Sequence, residues 1–182
     1  MKSLATFLTL AAMAPLAKPA DTDSVDSVVH AVYDVISGPA GTRDWNRFRS
    51  LFAEGARLIP IRVTAEGSSA NVMTPDDYAK RAGASFEKTA FYESEAARRL
   101  ETFGNIAHVF STYESRRAPG DQPFARGINS FQLVKVGGAW KVMTILWDSE
   151  RPENPLPEKI SQVDWLVSCG IGILTSPQPD AV

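Results

Sequence analysis

Stretches of helical period alternate along the chain with stretches of period two, and their order predicts the architecture. Val25, Val28, Val29, Val32 and Ile36 recur at the spacing of one helical face, with Asp23 or Ser24 placed to cap the start and Gly38-Pro39 to stop it. Trp45, Phe48, Leu51 and Phe52 write the face of a second short helix that ends near Gly55. The turn between the two predicts an αα corner. Arg57 to Thr64 is rich in β-formers and predicts a strand, which Pro60 confines to an edge or a bulge. Thr74-Pro75-Asp76-Asp77 opens a third helix, running to about Lys88, with a cap, a proline at the first position and acidic residues in the first turn.

From Phe91 onward the pattern is β. It gives a strand to about Phe103, a Gly104-Asn105 turn, a strand from Ile106 to Ser115, a polar loop, and two strands, Phe124 to Val136 and Ala139 to Asp148, around Gly137-Gly138. Three helices and an edge strand before a four-strand meander predict one α+β domain, a curved, mainly antiparallel sheet whose concave face the N-terminal helices cover. With Gly137-Gly138 as a two-residue turn, Leu133 faces Val142, Phe131 faces Thr144 and Asn129 faces Leu146. That alternation sends Asn129, Phe131, Leu133, Trp140, Val142, Thr144 and Leu146 toward the helices. It leaves Ile128, Val134, Met143, Ile145 and Trp147 on an outer face suited to pairing two subunits.

The 182 residues suffice to bury one core without staples. A net charge of −2, with the basic doublets Arg98-Arg99 and Arg116-Arg117 each beside Glu, gives no footprint for nucleic acid. Met1-Lys2-Ser3, the apolar run from Leu4 to about Ala14 and the small residues up to Ala20 predict a secretory signal over residues 1–20, too short to span a membrane. Cleavage falls after Ala12-Met13-Ala14 or nearer Ala20, and the mature chain is expected in the periplasm or secreted, with no membrane association. Cys169 is the only cysteine, so no disulfide forms within the chain; it is either a buried thiol in the run Trp165 to Leu174 or an intermolecular bridge.

Candidate chemistry is sparse. Asn129, an amide among apolar neighbours, is either a pocket-wall donor or a satisfied structural amide. His108, Phe110, Thr112 and Glu114 share one strand face, where His108 and Glu114 form a candidate acid–base pair for a lyase, isomerase or hydrolase, or else are packed or rim residues. His30 and His108 are not spaced as metal ligands, and no nucleophile elbow or phosphate loop is present. Neither a metal nor a cofactor is expected. Tyr33, near the first helix's apolar stripe, belongs to the core or points its hydroxyl into a cavity.

Three segments carry a family resemblance. They are Trp45-Asn46-Arg47-Phe48-Arg49-Ser50-Leu51-Phe52 with Ala53, Phe103-Gly104-Asn105-Ile106-Ala107-His108-Val109-Phe110-Ser111-Thr112-Tyr113-Glu114, and Arg126-Gly127-Ile128-Asn129-Ser130-Phe131-Gln132-Leu133 with Trp140-Lys141-Val142. Over roughly Ser24 to Glu150 the chain resembles the nuclear transport factor 2-like superfamily, which includes ketosteroid isomerase and polyketide cyclases, and within it an exported bacterial branch. The resemblance implies a cone-shaped sheet over residues 21–150 with a cavity between the first helix and its concave face. It puts Tyr33 close to the family's helix-one tyrosine and Asn129 at the position of its oxyanion-binding strand acid. The general-base position falls at Pro60, which cannot take a proton, so isomerisation by that route is not implied.

A cavity so placed draws on Tyr33, Trp45, Phe110, Thr112, Asn129, Phe131, Thr144 and Leu146 as ligand contacts. The expected function is binding of a small, largely apolar molecule. The alternatives are His108/Glu114 chemistry and a ligand-free dimerisation module. Residues 151–182 are expected to form a Pro-rich exit followed by an atypical apolar segment, Gln162 to Leu174.

Overall fold

The computed structural model describes residues 20–157; the expected signal segment before Ala20 and the apolar segment Gln162 to Leu174 with Cys169 lie outside the described residues. Helix α1, Val25–Ile36, begins at Ser24, whose hydroxyl accepts the Ser27 N–H at 3.0 Å. It buries Val25, Val28, Val29, Val32 and Ile36 against the sheet. Full burial of each such side chain contributes about 1.5–3 kcal/mol, which is what docks the helix. Asp44 caps α2, Trp45–Ser50, and a reciprocal Thr74 and Asp77 capping box starts α3, Pro75–Phe86.

Six strands follow the order β2-β1-β6-β5-β4-β3: β1 Phe52–Thr64, β2 Gly67–Ala70, β3 Tyr92–Phe103, β4 Ile106–Arg116, β5 Ala125–Val136 and β6 Ala139–Ser149. Every neighbouring pair is antiparallel except β1 with β6. The curved, unclosed sheet holds the core on its helix side, where Phe48, Leu51, Val109, Phe131 and Val142 are fully enclosed.

The sheet begins earlier than Arg57. Phe52 pairs with Val142, the strand bulges around Gly55 at φ 78, and pairing resumes at Arg57 opposite Thr144. Leu51 and Phe52, assigned by period to a helix, are therefore a helix end and a strand start. Pro60 stands where β1 passes from pairing with β6 to pairing with β2, so its missing N–H breaks no long ladder. Strand β2 is exposed throughout and carries no apolar alternation, so periodicity gave it no signal.

Two bulges decide which side chains face the helices. In the β5–β6 hairpin Val136 opposes Ala139 and Leu133 opposes Val142, as alternation predicts. Met143 is then an extra residue, so Gln132 opposes Thr144, Phe131 opposes Ile145 and Asn129 opposes Trp147. The expected pairs Phe131 with Thr144 and Asn129 with Leu146 are corrected accordingly. Ile145 and Trp147 turn inward, while Thr144 and Leu146 turn outward. Ala96 plays the same part in β3: Glu95 opposes Tyr113 and Ala97 opposes Thr112.

Arg43 fixes the end of α1. Its guanidinium donates to the carbonyls of Ile36 at 2.9 Å, Pro39 at 2.9 Å, Gly41 at 3.0 Å and Gly38 at 2.9 Å. Gly38 in turn exchanges two backbone hydrogen bonds with Phe91, at 2.7 and 3.0 Å, joining the turn after α1 to the entry of β3.

Candidate functional site

Between α1, α3 and the concave sheet lies a cavity of about 230 Å³. Its apolar wall includes Phe48, Phe91, Phe124, Phe131, Ile145 and Trp147. Its polar end is made by Glu93 of β3, Ser115 of β4 and Asn129 of β5. These three meet because Glu93 pairs in register with Ser115, and β5 lies on the far side of β4.

The Ser115 hydroxyl donates to Glu93 Oε2 at 2.7 Å, and the nearby Asn129 amide also favours the charged carboxylate. Burial nevertheless pushes the Glu93 carboxyl up from 4.5 to about 7, because the two neutral groups offset only part of the cost of removing the charge from water. Glu93 keeps some accessible surface and borders both the cavity and the groove beside it. Tyr78 and Tyr113 complete the rim, and burial raises both phenols.

Behind this end runs an ordered chain of hydrogen bonds. Asn129 Nδ2 donates to the Tyr33 hydroxyl at 3.0 Å, Tyr33 and Ser111 hydroxyls lie 2.7 Å apart, and Ser111 donates to Glu95 Oε1 at 2.6 Å. Since Ser111 spends its proton on Glu95, the Tyr33 proton points to Ser111. Burial raises the Tyr33 phenol, so it stays neutral. Arg98 closes the chain, bonding Glu95 at 2.8 Å and Asp26 at 2.6 Å. Glu95 and Arg98 share a face only because of the bulge at Ala96. Outside this chain opens a polar groove of about 820 Å³, bordered by Tyr33, Glu93, Glu95 and Arg98.

Of the ligand contacts expected from sequence, Asn129 and Phe131 line the cavity, and Tyr33 stands directly behind Asn129. Trp45 packs edge-on to Phe48 and stacks on Phe86, outside the cavity lining. Phe110 lies on the opposite sheet face, 37% exposed, together with outward-turned Thr144 and with Leu146 at 40%. Thr112 is buried on that same side of β4, and its hydroxyl has no hydrogen-bond partner.

The proposed pair His108 and Glu114 also falls on the outer side with Phe110 and Thr112, because the face turned to the helices carries Ala107, Val109, Ser111, Tyr113 and Ser115. His108 contacts the Ser130 hydroxyl at 3.0 Å and lies 4.0 Å from Glu101, whereas Glu114 pairs with Arg116 and, at 3.3 Å, with Arg126. Neither reaches the cavity. Sequence reading missed Glu93. Its signal was its place two residues after Phe91, which puts both on one face of a strand. Among the described residues no three His, Cys, Asp or Glu side chains converge as metal ligands, and no helix is long and apolar enough to cross a membrane.

No known family profile matches the chain, and no curated protein does. Solved structures do. A protein of unknown function from Mycobacterium tuberculosis superposes with a TM-score of 0.56 at 12% identity, over 80% of this chain and 82% of that one. A protein of unknown function with a cystatin-like fold from Nostoc punctiforme gives 0.54 at 12% identity, over 73% and 92%. A protein from Streptomyces avermitilis, provisionally described as a dehydratase of the NTF2-like family, gives 0.54 at 11% identity, over 72% and 96%. The chain has the cone-shaped α+β fold of the nuclear transport factor 2-like superfamily.

Proposed function

We propose that the protein binds a small, largely apolar molecule in the cavity, with the molecule's polar end against Glu93 and Asn129. The observation that carries this reading is a cavity of about 230 Å³ walled by aromatic side chains and ended by hydrogen-bonding groups. It is smaller than the roughly 300 Å³ at which drug-sized sites begin, but larger than the cavity of about 150 Å³ that accepts benzene. One ring with a short substituent is the size implied. The apolar N-terminal segment supports export, which places such a ligand in the periplasm or outside the cell.

The test is thermal melting of the chain with single-ring aromatic and alicyclic compounds, read alongside Trp fluorescence, since Trp147 lines the cavity. Ligands that raise the melting temperature and perturb that signal are expected; a panel without effect on either overturns the reading.

One observation favours acid–base chemistry as a second reading. A carboxyl held at about 7 inside a cavity is poised to exchange a proton with a bound molecule, as a lyase or isomerase requires. In this version Glu93, not His108 or Glu114, is the group that acts, and turnover that survives Glu93→Gln sinks it. The exposed apolar residues Phe110, Met143 and Leu146 support pairing of two copies through the outer sheet face, which sedimentation tests.

A further inference from the structure

Glu93 is surrounded by groups suited to an anion. Ser115 donates to it, and Asn129 favours its charge. A carboxyl meant to work as a neutral acid needs an acceptor within reach. Here the Ser115 hydroxyl turns its proton toward Glu93.

What the anion lacks is a countercharge. Among the described residues no Lys, Arg or His forms an ion pair with Glu93. The groups facing it are the phenols of Tyr33, Tyr78 and Tyr113, from α1, α3 and β4, all neutral, with Glu95 on its own strand. Arg98 and Arg116, which border the groove, are engaged with Glu95 and Asp26 and with Glu114. A buried carboxylate favoured by two neutral groups and left without a cation is an unusual arrangement, since isolated buried charge is costly.

We propose that the missing cation belongs to the ligand, and that the cavity takes a protonated apolar amine whose ammonium sits on Glu93 among aromatic rings. The inference rests on the pocket reading above and names the chemical class of its ligand. The rings of Phe91 and Trp147 line the same small space, beside Phe124, whose face carries the Arg117 guanidinium at 4.0 Å, and aromatic faces attract a cation that has left water. The rest of the wall matches an alicyclic or aromatic body. Binding completes the ion pair and drives Glu93 to its ionised form, so it releases a proton wherever Glu93 starts protonated.

Calorimetric titration of the full chain with cyclohexylmethylamine and with its neutral counterpart cyclohexylmethanol tests this. The amine is expected to bind at least roughly tenfold tighter, the difference a charge-assisted hydrogen bond makes. At pH 6 its binding is expected to release close to about one proton, seen as a dependence of the heat on the buffer's ionisation enthalpy, and the release fades toward pH 8.5. Glu93→Gln is expected to abolish the preference for the amine over the alcohol. The proton release is measured on the unaltered chain, so it stands even where the variant folds poorly. Equal binding of the two compounds, or amine binding without proton release at pH 6, overturns the proposal and leaves the pocket reading intact. No binding of either, or of any compound in the melting panel, removes both.

Discussion

Asn129 on β5 donates to the hydroxyl of Tyr33 on α1 at 3.0 Å, joining the sheet to its covering helix through a bond buried at both ends. The same amide lines the end of the cavity where Glu93 stands and eases the cost of that carboxyl's charge. Asn129 lines the cavity and at the same time is satisfied structurally through Tyr33.

Tyr33→Phe is expected to cost about 1–3 kcal/mol, because it leaves Asn129 without one acceptor and Ser111 without its donor inside the core. Urea denaturation measures the loss. Asn129→Ala should cost at least as much.

Stability should fall with rising pH through the range in which Glu93 ionises. Burial favours the neutral acid in the folded chain, so its contribution is complete below the ordinary value of 4.5 and lost as pH rises through about 7. The full loss amounts to about 3 kcal/mol. Glu93→Gln removes the titration, so the difference in unfolding free energy between variant and parent should widen from pH 4.5 to above 7 and then stay constant. A difference that is flat with pH contradicts the buried carboxyl.

Gly127 should tolerate no side chain. A Cβ there would stand 2.3 Å from the carbonyl oxygen of Asp148 and 2.6 Å from the Tyr113 hydroxyl, and the first of these is ladder backbone. Gly127→Ala is expected to destabilise by about 1–3 kcal/mol and to weaken the Tyr113 contact to Ser149, now 3.0 Å. Thermal unfolding and near-ultraviolet dichroism read the two effects.

Thr112→Val should stabilise. The hydroxyl is buried without a partner, so the methyl replacing it removes a desolvated polar atom from a site of nearly unchanged shape. A gain of about 1 kcal/mol is expected in urea titrations.

The order of elements was readable because apolar spacing and turn residues speak locally. Ser24, Thr74 with Pro75, and Gly137-Gly138 mark boundaries through caps and turns that involve only near neighbours. The site was less readable because face assignment counts residues, and one extra residue reverses every side chain beyond it. Leu133 and Val142 lie before the bulge at Met143 and were placed correctly, whereas Thr144, Ile145, Leu146 and Trp147 lie after it and exchanged faces. Neither Met143 nor Ala96 carries a local mark of a bulge. Likewise His108 and Glu114 share a face as alternation says. Which face of β4 meets the helices is decided by the whole sheet's packing, which spacing along one strand does not contain.

The cavity's wall depends on a residue that never touches it. Phe91 lines the cavity and is positioned by two backbone bonds to Gly38, and Gly38 is held by the guanidinium of Arg43. Four carbonyls at 2.9–3.0 Å, with that of Thr42 at 3.4 Å beside them, converge on that one planar group, which serves as the keystone of an arch whose inner surface is the aromatic ring. Lysine at this position has a single nitrogen and cannot span the four oxygens. The shape of the cavity is therefore exposed to change at a surface loop, through the position that loop imposes on the ring beneath it.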